Sequence, residues 1–227
     1  MLYLLGFIVL IGLELPPSAN AHRRRLRDEI FQGLRFIQND PAVRSFFVLL
    51  SASTLFMMAP WIVLGPQLAR EEAGANGSQT TLMFALLGVG QFATSMFIMR
   101  MNRLLVRKGL WFMLALCWGS SVQMFLGQTS SIWTMSLFLF FWGVGGGFYM
   151  NLNQTLIQNN TPREVMGRVM AIHSLLMSGL APAGALAVGL VARRIDSVPA
   201  TFSACGLLML LSTGYFLLAK PHLRPMA

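Results

Sequence analysis

Residues 132–152 read IWTMSLFLFFWGVGGGFYMNL, a run of twenty-one residues without one charged side chain. A helix rises about 1.5 Å per residue, so about 20 mostly apolar residues are needed to cross the hydrocarbon core of a bilayer. This stretch has that length and that composition. It therefore predicts a membrane-spanning helix, and the question is how many more such stretches the chain contains.

Five other apolar blocks have the length of a full span. They run over Val43–Leu64, Thr80–Met99, Leu110–Gly127, Gly167–Ala192 and Pro199–Ala219. A seventh block, Leu2–Leu15, is shorter, carries Glu14 and stops at Pro16-Pro17, which ends a helix. The sequence predicts an all-α membrane protein with about seven transmembrane helices. Residues 1–17 form a partial span and residues 43–219 a six-helix bundle.

The first block has a second interpretation, a secretory signal peptide. Ala19-Asn20-Ala21 resembles the small-residue cleavage site that follows the apolar part of such a signal. Signal peptides begin with positive charge, however, and Met1–Leu4 has none. The basic run that follows would also resist export. We therefore expect a span that lacks its outer turns.

The composition excludes several classes of protein. Apolar and aromatic residues make up 55% of the 227 residues and charged residues 11%, whereas soluble domains carry about 25% charged residues. A soluble domain, a disordered chain and a disulfide scaffold are therefore excluded. Cys117 and Cys205 lie inside apolar blocks without metal-ligand spacing. We expect no cofactor, no metal site and no nucleic-acid partner, since the basic residues flank the spans.

The long polar segment, residues 18–42, is predicted to be a basic linker with one amphipathic helix. It opens with a run of His and Arg in residues 22–27, and Asn39-Asp40-Pro41 ends the helix. Ile30, Leu34 and Ile37 recur at the spacing of one helix face. Such a helix is expected to lie along the membrane surface. An ordinary solvated linker with one helix is the alternative.

The distribution of Lys and Arg predicts the orientation. If residues 18–45 lie on one side of the membrane, every second loop and the 220–227 tail lie on that side too. These regions together hold 14 of the 17 Lys and Arg residues, and the loops on the opposite side hold three. Cytoplasmic loops carry the excess of basic residues. The chain is therefore expected in the cell membrane, with its N-terminus outside and its C-terminus in the cytoplasm, surrounded by the lipid bilayer.

Polar side chains within the spans are the candidates for a substrate path. They are Gln91, Gln123, Asn151, Asn153, Gln154 and His173. A carboxamide in hydrocarbon needs a partner, which water, a ligand or a neighbouring helix can supply. Contacts that hold helices together are the alternative for each carboxamide. A hydrogen-bonded core histidine is the alternative for His173.

Small residues and prolines mark candidate helix contacts and hinges. Gly143 and Gly147 form a G-x-x-x-G, and Ala181, Ala185 and Gly189 repeat every four residues. Pro60 and Pro182 can kink their helices. Static close packing and a helix that bends during a gating cycle both fit this pattern. Ser120 and Ser121 with His173 are a weak signal for an intramembrane protease, and no catalytic residue or enzyme activity is expected.

Two segments resemble the major facilitator superfamily, in particular its enterobactin-exporter and macrolide-efflux-like branch. Residues 29–37, EIFQGLRFI, followed by the residues 40–44, DPAVR, are similar to the end of that branch's central cytoplasmic loop. Residues 161–170, TPREVMGRVM, and the Gly/Ala/Pro-rich residues 179–184 are similar to its loop and helix near the end of the chain. Met166 stands where the family often has Arg.

The resemblance implies a C-terminal half of a secondary exporter of small, amphipathic molecules that works by alternating access. The first block would then be the end of helix six, and a missing N-terminal half or a second copy of the chain would complete the path. The basic residues at the cytoplasmic gate would be Arg103, Arg107, Lys108, Arg163 and Arg168. A truncated or partner-dependent helix bundle that does not transport is the alternative.

Overall fold

The computed structural model describes residues 26–101, 107–220 and 223, and in this part the chain forms helices and no strand. We number them in chain order. They are α1 (Leu26–Asn39), α2 (Pro41–Glu72), α3 (Gly77–Met101), α4 (Lys108–Leu126), α5 (Ile132–Asn159), α6 (Met166–Ile195) and α7 (Val198–Ala219). Helices α2 to α7 are long and apolar enough to cross a membrane. The all-α membrane architecture is thereby confirmed, while the Leu2–Leu15 block lies outside the described residues.

The helices extend past the apolar blocks that predict them. α2 continues from the predicted end at Leu64 to Glu72, and α5 continues from Leu152 to Asn159. Hydropathy reports only the part of a helix that lies in hydrocarbon, and the backbone keeps its hydrogen bonds beyond that point. The extra turns carry polar residues and bring them to the membrane surfaces.

Local hydrogen bonds start three of these helices. The Asp40 carboxylate accepts from the backbone N–H groups of Ala42 (2.8 Å) and Val43 (3.1 Å) at the start of α2. Asn76 and Gln79 exchange side chain to backbone hydrogen bonds of 2.8 and 2.9 Å ahead of α3, the geometry of a capping box. The Ser197 hydroxyl accepts from the N–H of Ala200 in α7. These bonds satisfy N–H groups that have no partner inside the helix.

The helices pack as two connected groups. α5 packs against α3 and α4, and α4 packs in turn against α7. α2 packs against α6 and α7, while α1 lies across the beginnings of α2 and α6. α4 and α7 therefore hold α2 and α6 against the α3–α5 pair.

One buried cluster lies at each end of the bundle. The first joins Phe46, Phe112, Leu156 and Leu223, and the second joins Leu64, Met83, Leu126 and Phe202, together with their neighbours. The basic residues Arg44, Lys108, Arg168 and Lys220 stand at helix ends beside the first cluster, and Arg70 and Arg193 at the other end. These basic residues therefore lie at opposite ends of the described bundle.

α1 turns a different face to the protein than its apolar spacing suggested. Gly33 and Ile37 are buried, whereas Ile30 and Leu34 remain exposed. A Cβ on Gly33 would come within 2.7 Å of the Ile172 side chain, so the missing side chain lets α1 approach α6 closely. Ile37 therefore packs on the bundle, and the residues predicted to share one membrane-facing side are divided between protein and surface.

The contact between α3 and α5 is a backbone-to-backbone approach made by glycines. A Cβ on Gly143 would overlap the carbonyl group of Leu87, and one on Gly90 would overlap the carbonyl oxygen of Phe140. The Thr94 hydroxyl donates across the same contact to the Val144 carbonyl oxygen at 3.0 Å. Small residues allow helices in lipid to approach in this way, where van der Waals packing and hydrogen bonds replace the hydrophobic effect.

We predict that Gly143→Val separates α3 from α5 and lowers the stability of the bundle. Overpacking of a close contact costs about 1–3 kcal/mol, and the obstacle here is backbone, which cannot rotate away. The thermal midpoint of the purified protein in detergent measures the effect. Gly88→Val is the matched control on α3, because a side chain there meets open space. Equal midpoints for the two variants would contradict the prediction.

Candidate functional site

Four helices enclose a small cavity that we call the aromatic cavity. It has a volume of about 200 Å³ and lies between α2, α3, α4 and α5. Its walls include Trp61 of α2, Trp142 and Tyr149 of α5, and Gln91 of α3. The two tryptophan rings lie 4.6 Å apart, centroid to centroid, at an angle of 60°. The rings therefore form a corner and leave space beside them.

Gln91 supplies a polar group to the aromatic cavity. Its side chain is half-buried, and a Cβ on Gly146 would lie 3.1 Å from the Gln91 Nε2 atom. The carboxamide makes no hydrogen bond to any other described residue. By contrast, the Ser53 hydroxyl in the same wall is 2.9 Å from the Tyr149 hydroxyl and bonds the Leu50 carbonyl oxygen at 2.8 Å. Gln91 is thus the polar side chain of this wall that has both its donor and its acceptor to offer.

A larger groove, of about 1,070 Å³, runs between α2 and α6, and we call it the α2–α6 groove. Its walls are mostly apolar, with Ile62 and Val63 on one side and Ala181, Ala185 and Gly189 on the other. Pro182 also lines it, and Glu71, Glu72, Arg193 and Asp196 stand at one end. The four-residue repeat of small side chains, together with the kink-prone proline, lies along an open groove.

α6 also approaches α2 closely at Gly184, outside that repeat. A Cβ on Gly184 would lie 2.9 Å from side-chain atoms of both Ala59 and Leu55. The repeat identifies residues on one helix face, but it does not show which of them meets a neighbour. The groove opens beside this contact.

A cluster of polar side chains joins α2, α5 and α6. The Asn153 Nδ2 atom is 3.1 Å from His173 Nε2, and the Tyr149 hydroxyl oxygen lies 3.7 Å from the Met177 sulfur. The Thr54 hydroxyl reaches the same sulfur at 4.0 Å. The buried Asn153 Oδ1 atom has no partner in the described part of the chain. The structure therefore brings Asn153 and His173 together as a pair between two helices.

Three further path candidates lie elsewhere. Asn151 donates to the Ser95 hydroxyl oxygen (3.0 Å) and to the Gly147 carbonyl oxygen (2.8 Å) at the α3–α5 contact. Gln154 is exposed. Gln123 is fully buried away from both cavities.

The position of Gln123 follows from a proline. Pro60 has no N–H to donate to the carbonyl oxygen of Phe56 one turn earlier, and its ring pushes that group outward. Here the chain forms a π-helical turn over Thr54–Met58, and the Gln123 Nε2 atom donates to the Phe56 oxygen at 2.9 Å. It also reaches the Phe202 oxygen at 3.4 Å. One carboxamide of α4 thus ties α2 and α7 together at the point where α2 loses a backbone bond.

The basic gate candidates are only partly brought together. Arg103 lies outside the described residues, while Arg107 and Arg163 are exposed and Lys108 begins α4. Arg168, in the first turn of α6, donates to Gln32 Oε1 of α1 at 2.8 Å and lies 3.9 Å from Glu29 Oε1. Because both groups of this ion pair are partly exposed, the pair itself contributes little. The contact nevertheless fixes α1 against α6.

The residues of a protease are bonded elsewhere. The Ser120 hydroxyl donates to the Leu116 carbonyl oxygen and the Ser121 hydroxyl to the Cys117 carbonyl oxygen, while His173 pairs with Asn153. Each serine thus bonds within its own helix, as is common for Ser in helices. Among the described residues, no group of three or more His, Cys, Asp or Glu side chains is placed to hold a metal ion.

Sequence reasoning did not single out the aromatic cavity. Trp and Tyr in membrane proteins concentrate at the two interfaces, yet Trp61 and Trp142 lie well inside α2 and α5. A tryptophan in the middle of a span is therefore a usable signal. That these two residues meet depends on which helices are neighbours, and the sequence alone does not show it.

Comparison with protein families decides the identification. Residues 4–226 match a family described as transmembrane secretion effector, within the major facilitator superfamily. The chain belongs to this family. Comparison with curated proteins and with solved structures gives no match. Membership of the major facilitator superfamily makes the chain a multi-pass membrane protein of a transporter family, as the six spans require.

For this family member we predict that Gln123→Leu lowers the free energy of unfolding by about 1–3 kcal/mol. The reason is that the Phe56 carbonyl oxygen loses the hydrogen bond from the Gln123 side chain. Pro60→Ala supplies a backbone N–H one turn after Phe56. In the Pro60→Ala variant this N–H can bond the Phe56 oxygen, so Gln123→Leu is expected to lower the free energy of unfolding by less. A double-mutant cycle of unfolding in detergent measures the coupling. Gln154→Leu, at an exposed carboxamide, is the control. Strictly additive effects would show that Pro60 and Gln123 act independently.

A second prediction concerns the contact between α1 and α6 in the same transporter. Gly33→Leu places a side chain where Ile172 and Arg168 already lie, so α1 is expected to detach. Hydrogen exchange of the α1 amides should then be faster, because the free energy needed to open α1 locally falls by about 1–3 kcal/mol. Gln38→Leu, on the exposed side of α1, is the control. Unchanged exchange in Gly33→Leu would show that the close contact does not hold α1.

Proposed function

We propose that the chain forms a six-helix half of a secondary exporter of small amphipathic molecules, and that it works by alternating access. The observation that carries this proposal is the α2–α6 groove, about 1,070 Å³ of unfilled space along two membrane-spanning helices. The groove is open on one side, where Ile62 and Leu186 are exposed, and a contiguous apolar surface of this kind marks a site for a ligand or a partner. Ligand sites have volumes of about 300–1,000 Å³ and mostly apolar walls.

The architecture of such transporters explains why one half leaves a groove open. Substrate binds near the middle of the membrane between two structural repeats, and one repeat rocks against the other. In our proposal the α2–α6 groove is one wall of that path. The other wall comes from a second six-helix half, either an N-terminal half or another copy of this chain.

The chemistry of the walls supports an amphipathic substrate. Ile62, Val63 and the small side chains of α6 contact apolar groups, and Gln91 in the adjoining aromatic cavity offers a hydrogen bond. We assign Asn153 and His173 to the same path, since they pair between α5 and α6 near its inner end. We place the bundle in the cell membrane with the end carrying Arg44, Lys108 and Lys220 in the cytoplasm.

At that cytoplasmic end we assign the gate to Arg168 together with Arg107, Lys108 and Arg163. The support is the contact of Arg168 with Gln32 of α1. This contact links the linker helix to the first turn of α6, one wall of the groove. A movement of α6 must therefore break it or carry α1 along.

A transport measurement with a groove-filling variant tests the proposal. The chain is expressed in a bacterium deficient in efflux pumps, alone and together with the N-terminal six-span half of a full-length exporter of the major facilitator superfamily, and Nile red accumulation is followed by fluorescence. We expect lower accumulation with the wild type than with an empty vector. Ala185→Trp fills the groove and should abolish at least nine-tenths of this difference.

Ala204→Trp on α7 is the matched control, because it adds the same volume at an exposed position away from the groove. It should retain export at the wild-type level when both proteins are present in the membrane in equal amounts. If the wild type and Ala185→Trp accumulate dye alike under both expression conditions, the chain does not export in this way. A bundle without transport activity is then the better description.

A further inference from the structure

We infer that the aromatic cavity selects an uncharged, planar group of about two fused rings that carries one hydrogen-bonding substituent. This inference rests on the proposed export function and names the chemical class of its substrate. Four properties of the cavity support this selectivity: its volume, the geometry of its rings, its lack of charge and its polar groups.

The volume limits the size of the group. At about 200 Å³ the cavity is smaller than the range of about 300–1,000 Å³ that holds a whole drug-sized molecule. It therefore accepts one compact part of a ligand. The remainder of a larger molecule would extend beyond the cavity.

The rings favour a flat aromatic group. Trp61 and Trp142 meet at 60°, so a flat ligand that lies against one ring presents its edge to the other. Stacked and edge-to-face contacts are the two favourable arrangements of aromatic pairs. Tyr149 lines the same space, and its hydroxyl is held 2.9 Å from the Ser53 hydroxyl oxygen. The Tyr149 ring is therefore fixed as part of the wall.

The charge of the walls disfavours a cation. None of the described residues that line the cavity is acidic or basic. Desolvated aromatic rings attract a cation, but a charge without a partner in a membrane span costs more than this attraction returns. Because no described carboxylate stands beside the Trp61 and Trp142 rings to neutralise a cation, the cavity favours an uncharged ligand.

The polar groups limit the substituent. Gln91 has both the donor and the acceptor of its carboxamide available, while the Ser53 and Tyr149 hydroxyls are engaged with each other. A carboxamide on the ligand can donate to Gln91 and accept from it at once. One such substituent satisfies the side chain, and a second polar group would face the apolar walls.

Tryptophan fluorescence of the whole chain in nanodiscs tests this selection. The probes are 2-naphthamide, 2-methylnaphthalene, which lacks the amide, and 1-methylquinolinium, which carries a fixed charge. Signals from empty nanodiscs are subtracted to remove partitioning into lipid. We expect saturable quenching by 2-naphthamide, with an affinity about 2- to 12-fold above that of 2-methylnaphthalene, the value of one net hydrogen bond. 1-Methylquinolinium should bind more weakly than 2-methylnaphthalene.

Variants locate the binding. Trp61→Phe with Trp142→Phe should remove the saturable quenching, whereas Trp133→Phe, at a residue 85% exposed, should keep it. Gln91→Leu should abolish the preference for 2-naphthamide over 2-methylnaphthalene, and Gln154→Leu should leave it intact. Binding of 1-methylquinolinium that is tighter than that of 2-methylnaphthalene would overturn the inference. Saturable quenching that survives in the double tryptophan variant would do the same.

The outcome is separable from that of the proposed function, because binding is measured without transport. Saturable binding in a chain that fails to export Nile red supports the selectivity of the cavity and overturns the export proposal. Export of Nile red by a chain that shows no saturable binding of 2-naphthamide supports export and overturns the selectivity.

Discussion

The fold depends on one constraint: backbone N–H and C=O groups inside a bilayer must find partners within the protein. Most backbone groups of the six spans meet it within their own helices, but prolines interrupt this pattern in α6 at Pro182 and in α2 at Pro66 and at Pro60. The Phe56 oxygen freed there is taken by Gln123 of α4, which also reaches Phe202 of α7. A local defect in one helix is thus converted into a contact among three. That contact connects the α2–α6 pair to the rest of the bundle.

Spans could be predicted from the sequence because hydropathy depends on single residues and their order. The block Ile132–Leu152, for example, lies within α5 and misses only its polar last turns. The contacts between helices could not be predicted from the sequence in the same way. Gly143 belongs to a recognisable G-x-x-x-G, and the facing Gly90 and Thr94 form a small-x-x-x-small pair, but neither motif shows that these two helices are neighbours. Gln123 and Gln91 are both carboxamides within spans, yet one satisfies a carbonyl group while the other lines a cavity. Their difference arises from neighbours that are distant in sequence.

The aromatic cavity and the α2–α6 groove have one lining residue in common. Met58 lines both the aromatic cavity and the α2–α6 groove, and in the described part of the chain it is the shared wall between them. It is the last residue of the π-helical turn Thr54–Met58. Methionine has three rotatable bonds and fills irregular space readily. The partition between the spaces is therefore a flexible side chain at one of the two π-helical turns of α2.

This position gives the irregular turn a physical consequence. π-helical turns are rare, and they occur mostly as single turns inserted into α-helices, frequently at functional sites. In α2 the turn lies between Ser53, which lines the aromatic cavity, and Ile62, which lines the groove. A change of register at this turn rotates one half of α2 relative to the other, and it alters both spaces together. Gln123 holds the turn from the opposite side, so the same carboxamide that repairs the backbone also limits how far the two spaces can change independently.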